Sequence, residues 1–248
     1  MPKQLPGAGP LIADSWKMFV STWSQTSKIS IWFLYFGLVE FACYVAVKFQ
    51  PAMSLLFIPL EIAYVVVSLW IGIRLILAVL RLDEGKAPAD PQADSAKAWS
   101  LFGPVLWLGA LQALIIFGGM VLLIIPGIYL AIALSFGQMF LVEQNVRGLK
   151  ALAASRDLVR GRWWAVLWRE FAGGLVFGAG LVLLVIIVFT LFGLIAGPDR
   201  FVLLMQSPEL DPLLNGTLNL INSILQAALI PLFVGFQVKV YRALRRSA

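Results

Sequence analysis

Apolar residues run through this chain in long blocks, and the polar residues gather between them. The first block, 29–49, and the second, 52–80, are separated only by Gln50 and Pro51. The next two, 105–124 and 128–142, are separated by Ile125-Pro126-Gly127. The last two, 171–195 and 214–241, flank a longer connection at 197–212. About 20 apolar residues in a helix cross the roughly 30 Å hydrocarbon core of a bilayer. The pattern therefore predicts an all-α polytopic membrane protein of six transmembrane helices in three hairpins, spanning 29–80, 105–142 and 171–241. Residues 1–10 are rich in Pro and Gly and read as a loose tail; 11–248 read as a single membrane domain.

Between the blocks the period changes. Ile12, Trp16, Phe19, Val20 and Trp23 recur at helical spacing, opposite Asp14, Lys17 and Gln25. This predicts a short amphipathic helix lying in the interface. A second such piece is expected at 95–102, carrying Trp99 and Phe102. A third is expected at 147–162, with Leu149, Leu152, Ala153 and Leu158 facing lipid and Lys150, Arg156 and Arg160 facing headgroups. Each hairpin is thus preceded by an interfacial helix, and each return arm opens near a proline: Pro51, Pro126 or Pro212. Asp211-Pro212 reads as an N-cap followed by the first helical residue.

Composition agrees with lipid as the solvent. Only 13% of the 248 residues are charged and 60% are hydrophobic, about half the charge of a typical soluble domain. The 19 Lys and Arg are distributed unevenly. All but Lys48 and Arg200 fall in the segments on one side of the blocks or at helix ends there. The positive-inside rule then places both termini in the cytoplasm. Asp199, Glu209 and Asp211 add to the asymmetry on the far side.

Few residues suggest chemistry. There is no His and one Cys, Cys43, so the commonest zinc ligand and any CxxC site are missing. No motif for phosphate loops, nucleophile elbows or metal hydrolysis occurs, and neither enzyme activity, a cofactor nor a metal is expected. Glu40 and Glu61 each lie about ten residues from the Gln50-Pro51 turn, hence roughly 15 Å deep and level with each other. Two carboxylates at that depth read either as a proton or cation site of a small transporter, or as protonated acids bonded within the bundle to Tyr44, Tyr64 or Gln112.

Arg74 is expected to snorkel to headgroups or to pair with an acid such as Glu143. Arg147, Lys150, Arg156, Arg160, Arg162 and Arg169 crowd one membrane face beside Trp163, Trp164 and Trp168, where contact with anionic lipid or phosphate is the natural expectation. Gly174 and Gly178 form a GxxxG for close helix packing. Asn219, Asn222, Gln226 and Gln237 could join helices or line a wet cavity. The partners expected are anionic membrane lipids, with room for a membrane-protein partner; nucleic acid is not expected, because the basic residues sit at the lipid boundary.

The stretch 125–164 carries Pro126-Gly127-Ile128 opening a helix and Glu143 ending it. Ala151, Ser155 and Leu158 follow, and then Gly161-Arg162-Trp163-Trp164. It resembles the membrane domain of bacterial glycerophosphoryl diester phosphodiesterases and related families of stand-alone inner-membrane proteins. The resemblance implies a membrane module in a lipid-linked or envelope process. It brings no catalytic residues, because the phosphodiesterase of the fused proteins is a separate soluble domain with catalytic His.

The charge asymmetry has a direct test. In a Cys43→Ser background, a cysteine introduced by Ser247→Cys is expected to react with an impermeant maleimide only when the cytoplasmic face is exposed.

Overall fold

A computed structural model describes residues 5–197 and 212–247, and helix is the only regular structure among them. The helices are α1 (Ala8–Phe49), α2 (Phe57–Asp83), α3 (Pro91–Leu122), α4 (Ile124–Leu134), α5 (Gly137–Gln144), α6 (Leu149–Val159), α7 (Trp163–Ala196) and α8 (Pro212–Ser247). A 3-10 turn, Pro51–Leu56, joins α1 to α2. Six helical segments are long and apolar enough to cross a membrane, α4 and α5 together forming one of them. The chain is an all-α, multi-pass membrane protein. The outer connection expected at 197–212, with Asp199, Arg200, Glu209 and the Asp211 cap, lies outside the described residues beyond Gly197 and Pro212.

Two of the three interfacial helices are not separate. α1 runs unbroken for 42 residues, about 63 Å, through the polar stretch where a boundary was expected. It also begins at Ala8, inside the expected loose tail. The reason is one continuous buried stripe: Leu11, Ser15, Met18, Thr26, Ile29, Ser30, Phe33 and Gly37. Apart from the adjacent Ile29 and Ser30, the steps are of three, four and eight, and they keep one face inward across the change in polarity. α3 behaves likewise. Asp94, Ala98, Leu101, Val105 and Leu108 form a single inward row past Pro104, and the one hydrogen bond lost there does not end the helix. Asp90 caps α3 through its carboxylate, which accepts from the Ala93 N–H at 3.1 Å, and Pro91 takes the first helical position.

The second hairpin closes more tightly than expected. Leu123 alone is extended between α3 and α4, and Gly119 and Gly127 meet across the turn. A Cβ on Gly119 would lie 3.2 Å from Gly127 Cα, and one on Gly127 would lie 2.9 Å from Met120 N. The return arm then breaks at Ser135-Phe136, between α4 and α5.

The third hairpin is open. α8 packs mainly along α1, antiparallel to it, and touches α7 over a short stretch. Small residues allow that approach: Gly235 faces Met18, Ser223 faces Gly37, and Gly216 faces Phe41 and Tyr44. α7 meets α8 where Gly173 lies against the Phe236 ring and Phe177 packs edge-on to Phe233 and Phe236. Gly174 and Gly178, expected to carry helix packing, have open space where a side chain would stand. The contact uses Gly173, one residue away and about 100° around the helix.

The core is concentrated at the charged end. Ile73, Leu77, Leu108, Phe136, Leu141, Leu152, Val159, Phe236, Tyr241 and Leu244 belong to one buried cluster there. Towards the opposite turns, Phe49, Leu55, Leu122, Ile125 and Leu194 are exposed, as residues in contact with acyl chains would be. Both ends of the described chain lie at the charged end, since Arg169 binds the carbonyls of Leu5 and Pro6 and Arg162 binds Ser247.

Adjacent glycines on α7 make a matched pair. Gly173→Ala drives a methyl into the fixed Phe236 ring and is expected to cost about 1–3 kcal/mol. Gly174→Ala meets nothing and should be neutral or slightly stabilising. Thermal unfolding of the two purified variants in detergent, followed by retention of the monodisperse peak, checks this.

Candidate functional site

Sequence reasoning expects most of the chemistry in two places, the acid pair within the membrane and the basic face around α6. The structure assigns many of these residues to other tasks and adds a cavity.

The ends of α2, α5 and α8 are joined by a charge clasp. Arg242 reaches three acids: Glu143 Oε1 at 2.5 Å, Glu84 Oε1 at 2.5 Å and Asp83 Oδ2 at 3.7 Å. Lys239 Nζ lies 2.6 Å from Asp83 Oδ1, and Arg245 lies 2.5 Å from Glu143 Oε2. The Tyr241 hydroxyl donates to the same Glu143 oxygen at 2.5 Å and accepts from Gln144 Nε2 at 3.1 Å. The planar guanidinium fork suits a junction of this kind. Glu143 is therefore bound by α8, and Arg74 is not its partner. The two face different ways: Glu143 ends α5 towards α8, while Arg74 lies about two turns inside α2 towards the first turn of α3. Hydrogen bonds from Lys86 and then Arg242 hold the Glu84 carboxyl below the usual carboxylate range. Its contribution is present at neutral pH and is lost as pH falls through that lowered value.

Two residues expected at headgroups are used inside the fold. Arg162 donates to the Leu158 carbonyl at 3.1 Å, the Leu244 carbonyl at 3.4 Å and Ser247 Oγ at 2.6 Å, closing the ends of α6 and α8. Arg169 donates to the carbonyls of Leu5 and Pro6, at 3.1 and 2.8 Å, and holds the segment before α1.

α6 turns Ala151, Leu152, Ser155, Leu158 and Val159 into the protein; the faces expected against lipid at Leu152 and Leu158 are buried. Ser155 repairs the α4–α5 break. Its hydroxyl accepts from the Phe136 N–H at 3.1 Å and donates to the Ala133 carbonyl at 2.9 Å. Trp163 donates to the Tyr129 carbonyl at 3.1 Å and stacks on its ring. The outer surface keeps Arg147, Lys150, Arg156 and Arg160 exposed, beside exposed Leu149, Trp164 and Trp168. Arg147 bonds Asn145 at 3.1 Å, and Arg156 lies 3.7 Å from its neighbour Asp157, both largely in solvent.

The added feature is a cavity of about 570 Å³ between α1, α2 and the start of α3. Lys28, Arg74 and Arg81 line it against one acid, Asp94; Gln25 and Trp32 complete it from α1. Arg74 is 9% exposed. Its Nε lies 3.8 Å from Asp94 Oδ2, too long for a hydrogen bond, and its guanidinium lies 4.8 Å over the Trp70 ring. Arg74 Nε, Gln25 Oε1 and Trp70 Nε1 are buried without hydrogen-bond partners among the described residues. Lys28 and Arg81 have no ion pair among the described residues. Sequence reasoning missed Lys28, Arg81, Gln25 and Asp94 as a group, because residues 25–28 read as a boundary between helices.

Glu40 is half-buried and Glu61 is exposed. They lie within each other's electrostatic reach, and neither makes a hydrogen bond or ion pair among the described residues. The tyrosines expected to hold them are taken by α8. Asn219 donates to the Tyr44 hydroxyl at 3.2 Å, and the Tyr64 hydroxyl donates to Gln226 at 2.6 Å. Gln237 likewise donates to Glu170, at 2.5 Å, joining α8 to α7. These amides join helices, whereas Asn222 is exposed.

No family model, curated protein or solved structure matches the chain. The residues of 125–164 nonetheless have definite places: Gly127 in the tight turn, Glu143 in the clasp, Ser155 at the helix break, and Arg162 and Trp163 as ties.

Arg242→Met takes one cation from three carboxylates, each of which keeps another partner (Lys239 on Asp83, Lys86 on Glu84, Arg245 and Tyr241 on Glu143), and is expected to cost on the order of 1 kcal/mol at neutral pH. The part of the difference that Glu84 carries should narrow as pH falls through its lowered value, where protonation removes the same bond from both proteins. Melting temperatures of both across that pH range measure it.

Proposed function

We propose that this is a non-enzymatic multi-pass protein of the bacterial inner membrane, with both termini cytoplasmic, whose charged end binds anionic lipid in an envelope-related role. One observation carries the reading. Three acids of that end, Asp83, Glu84 and Glu143, are occupied by the cations of α8, and Asp157 is the one acid on the exposed face of α6, which leaves Arg147, Lys150, Arg156 and Arg160 largely uncompensated. A basic residue near an anionic membrane surface contributes about 1 kcal/mol, so Arg147, Lys150, Arg156 and Arg160 together make a substantial attraction. Leu149, Trp164 and Trp168 stand exposed beside them, in the manner of an interfacial anchor. Without His, and with Cys43 as the only thiol, the chain offers little for acid–base or nucleophilic catalysis.

A second reading, a proton-coupled transporter or lipid translocator, is favoured by the mutual proximity of Glu40 and Glu61 next to the Tyr44 and Tyr64 ties. Intramembrane acids commonly serve proton movement.

Native mass spectrometry of protein released from nanodiscs of mixed phosphatidylglycerol and phosphatidylcholine separates these. Lys150→Gln/Arg156→Gln/Arg160→Gln is expected to lower phosphatidylglycerol enrichment several-fold without loss of folding, and unchanged enrichment would rule out the α6 surface. Glu40→Gln/Glu61→Gln should leave enrichment intact. Loss of lipid scrambling or proton flux in that variant alone would favour the second reading.

A further inference from the structure

We infer that the cavity between α1, α2 and α3 is a dedicated site for one lipid whose headgroup carries a phosphodiester anion together with a hydrogen-bond donor. It stands apart from the α6 surface and shares no residue with it.

The charge of the cavity selects the anion. Lys28, Arg74 and Arg81 face it against a single carboxylate, Asp94. Arg74 sharpens the demand, because its side chain lines the cavity while its Nε is buried without an acceptor among the described residues. An unsatisfied charged donor in a buried place costs more than an ordinary hydrogen bond contributes, and a phosphate oxygen would satisfy it. Lys28 and Arg81 supply two further cations without ion pairs among the described residues.

The same cavity asks for a donor. Gln25 Oε1 is buried with no hydrogen-bond partner among the described residues, and the Asp94 carboxylate accepts no hydrogen bond there, having the loose 3.8 Å approach of Arg74 and the more distant charges of Arg81 and Lys97. A headgroup hydroxyl or ammonium would serve both acceptors, whereas a bare phosphate would leave them unmet. The wall is also amphipathic: Ile29, Trp32 and Leu82 line it beside the charges. At about 570 Å³ the space is of ordinary small-molecule size and far exceeds what an inorganic phosphate fills. Lys28 immediately precedes the apolar span of α1, so the site lies at the depth where a lipid's phosphate meets its acyl chains.

The test uses the full chain in detergent carrying Lys150→Gln/Arg156→Gln/Arg160→Gln, at an ionic strength that strips loosely held lipid. Native mass spectrometry is expected to show one phosphatidylglycerol retained per chain. Lys28→Gln/Arg81→Gln, which leaves the Arg74–Asp94 pair in place, should cut that retention roughly tenfold or more. Ala89→Phe, on the loop lining the cavity, should do the same by filling the space without removing a charge. Phosphatidylmethanol has the same charge and no headgroup hydroxyl; it should be retained less well, and Gln25→Leu should abolish that difference. Retention unaffected by both the charge variant and Ala89→Phe overturns the site. Displacement by inorganic phosphate as readily as by lipid overturns the lipid assignment, and equal retention of the two lipids by the parent protein overturns the donor requirement. None of these outcomes bears on binding at the α6 surface.

Discussion

The close seam between the first and last helices governs much else in this protein. In a bilayer, apolar side chains gain little by leaving lipid for protein, so helices associate through van der Waals contact and hydrogen bonds. α1 and α8 achieve this with Gly37, Gly216, Gly235 and Ser223, which let the backbones approach. The hydroxyls of Ser15, Thr26 and Ser223 bond to carbonyls of their own helices and so place no unmet polar group in the contact. From Met18 to Tyr44 the seam covers 27 residues of α1, about 39 Å. It carries the end of α8 to α2 and α5, and it fixes the stretch of α1 that closes the cavity.

Charge at the end of the bundle is divided by this arrangement into two classes. Arg242, Lys239 and Arg245 are held by acids from α2 and α5, and the clasp fixes the register of three helix ends. Partly buried ion pairs add modest net stability once desolvation is counted; their value here is geometric, since Arg242 can satisfy three carboxylates only in one relative placement of α2, α5 and α8. Among the cations left over, two groups stand out, one on the outer face of α6 and one in the cavity beside Arg74. The first meets bulk solvent or headgroups. The second is a half-open recess, with Trp32 in its wall and the Trp70–Trp99 stack behind Arg74.

Residues of the 125–164 stretch work at the junction between these regions. Ser155 supplies the hydrogen bonds that the α4–α5 break would otherwise lose, and buried backbone groups left without partners are costly. Arg162 ties α6 to the last turn of α8, and Gly127 permits the one-residue turn of α3 into α4. From the sequence, Ser155 and Arg162 looked like members of a lipid-facing helix. Their partners, Phe136 and Ser247, are 19 and 85 positions away, and no helical period reveals such a pairing.

The six spans, the all-α class and the segregation of charge were legible in the sequence, because hydrophobic block length and the cost of unpaired backbone in lipid act locally along the chain. The amphipathic character of α6 was legible for the same reason, but its apolar face turns to protein, since period alone does not distinguish the two apolar surroundings. Tertiary structure alone decided that α8 pairs with α1, that Gly173 and not Gly174 makes the α7 contact, that Arg74 faces Asp94, and that Lys28, Arg81 and Gln25 share a cavity. Each of these depends on the rotation and placement of one helix against another. Shape complementarity across the whole bundle sets those quantities, and the order of residues along any single helix does not.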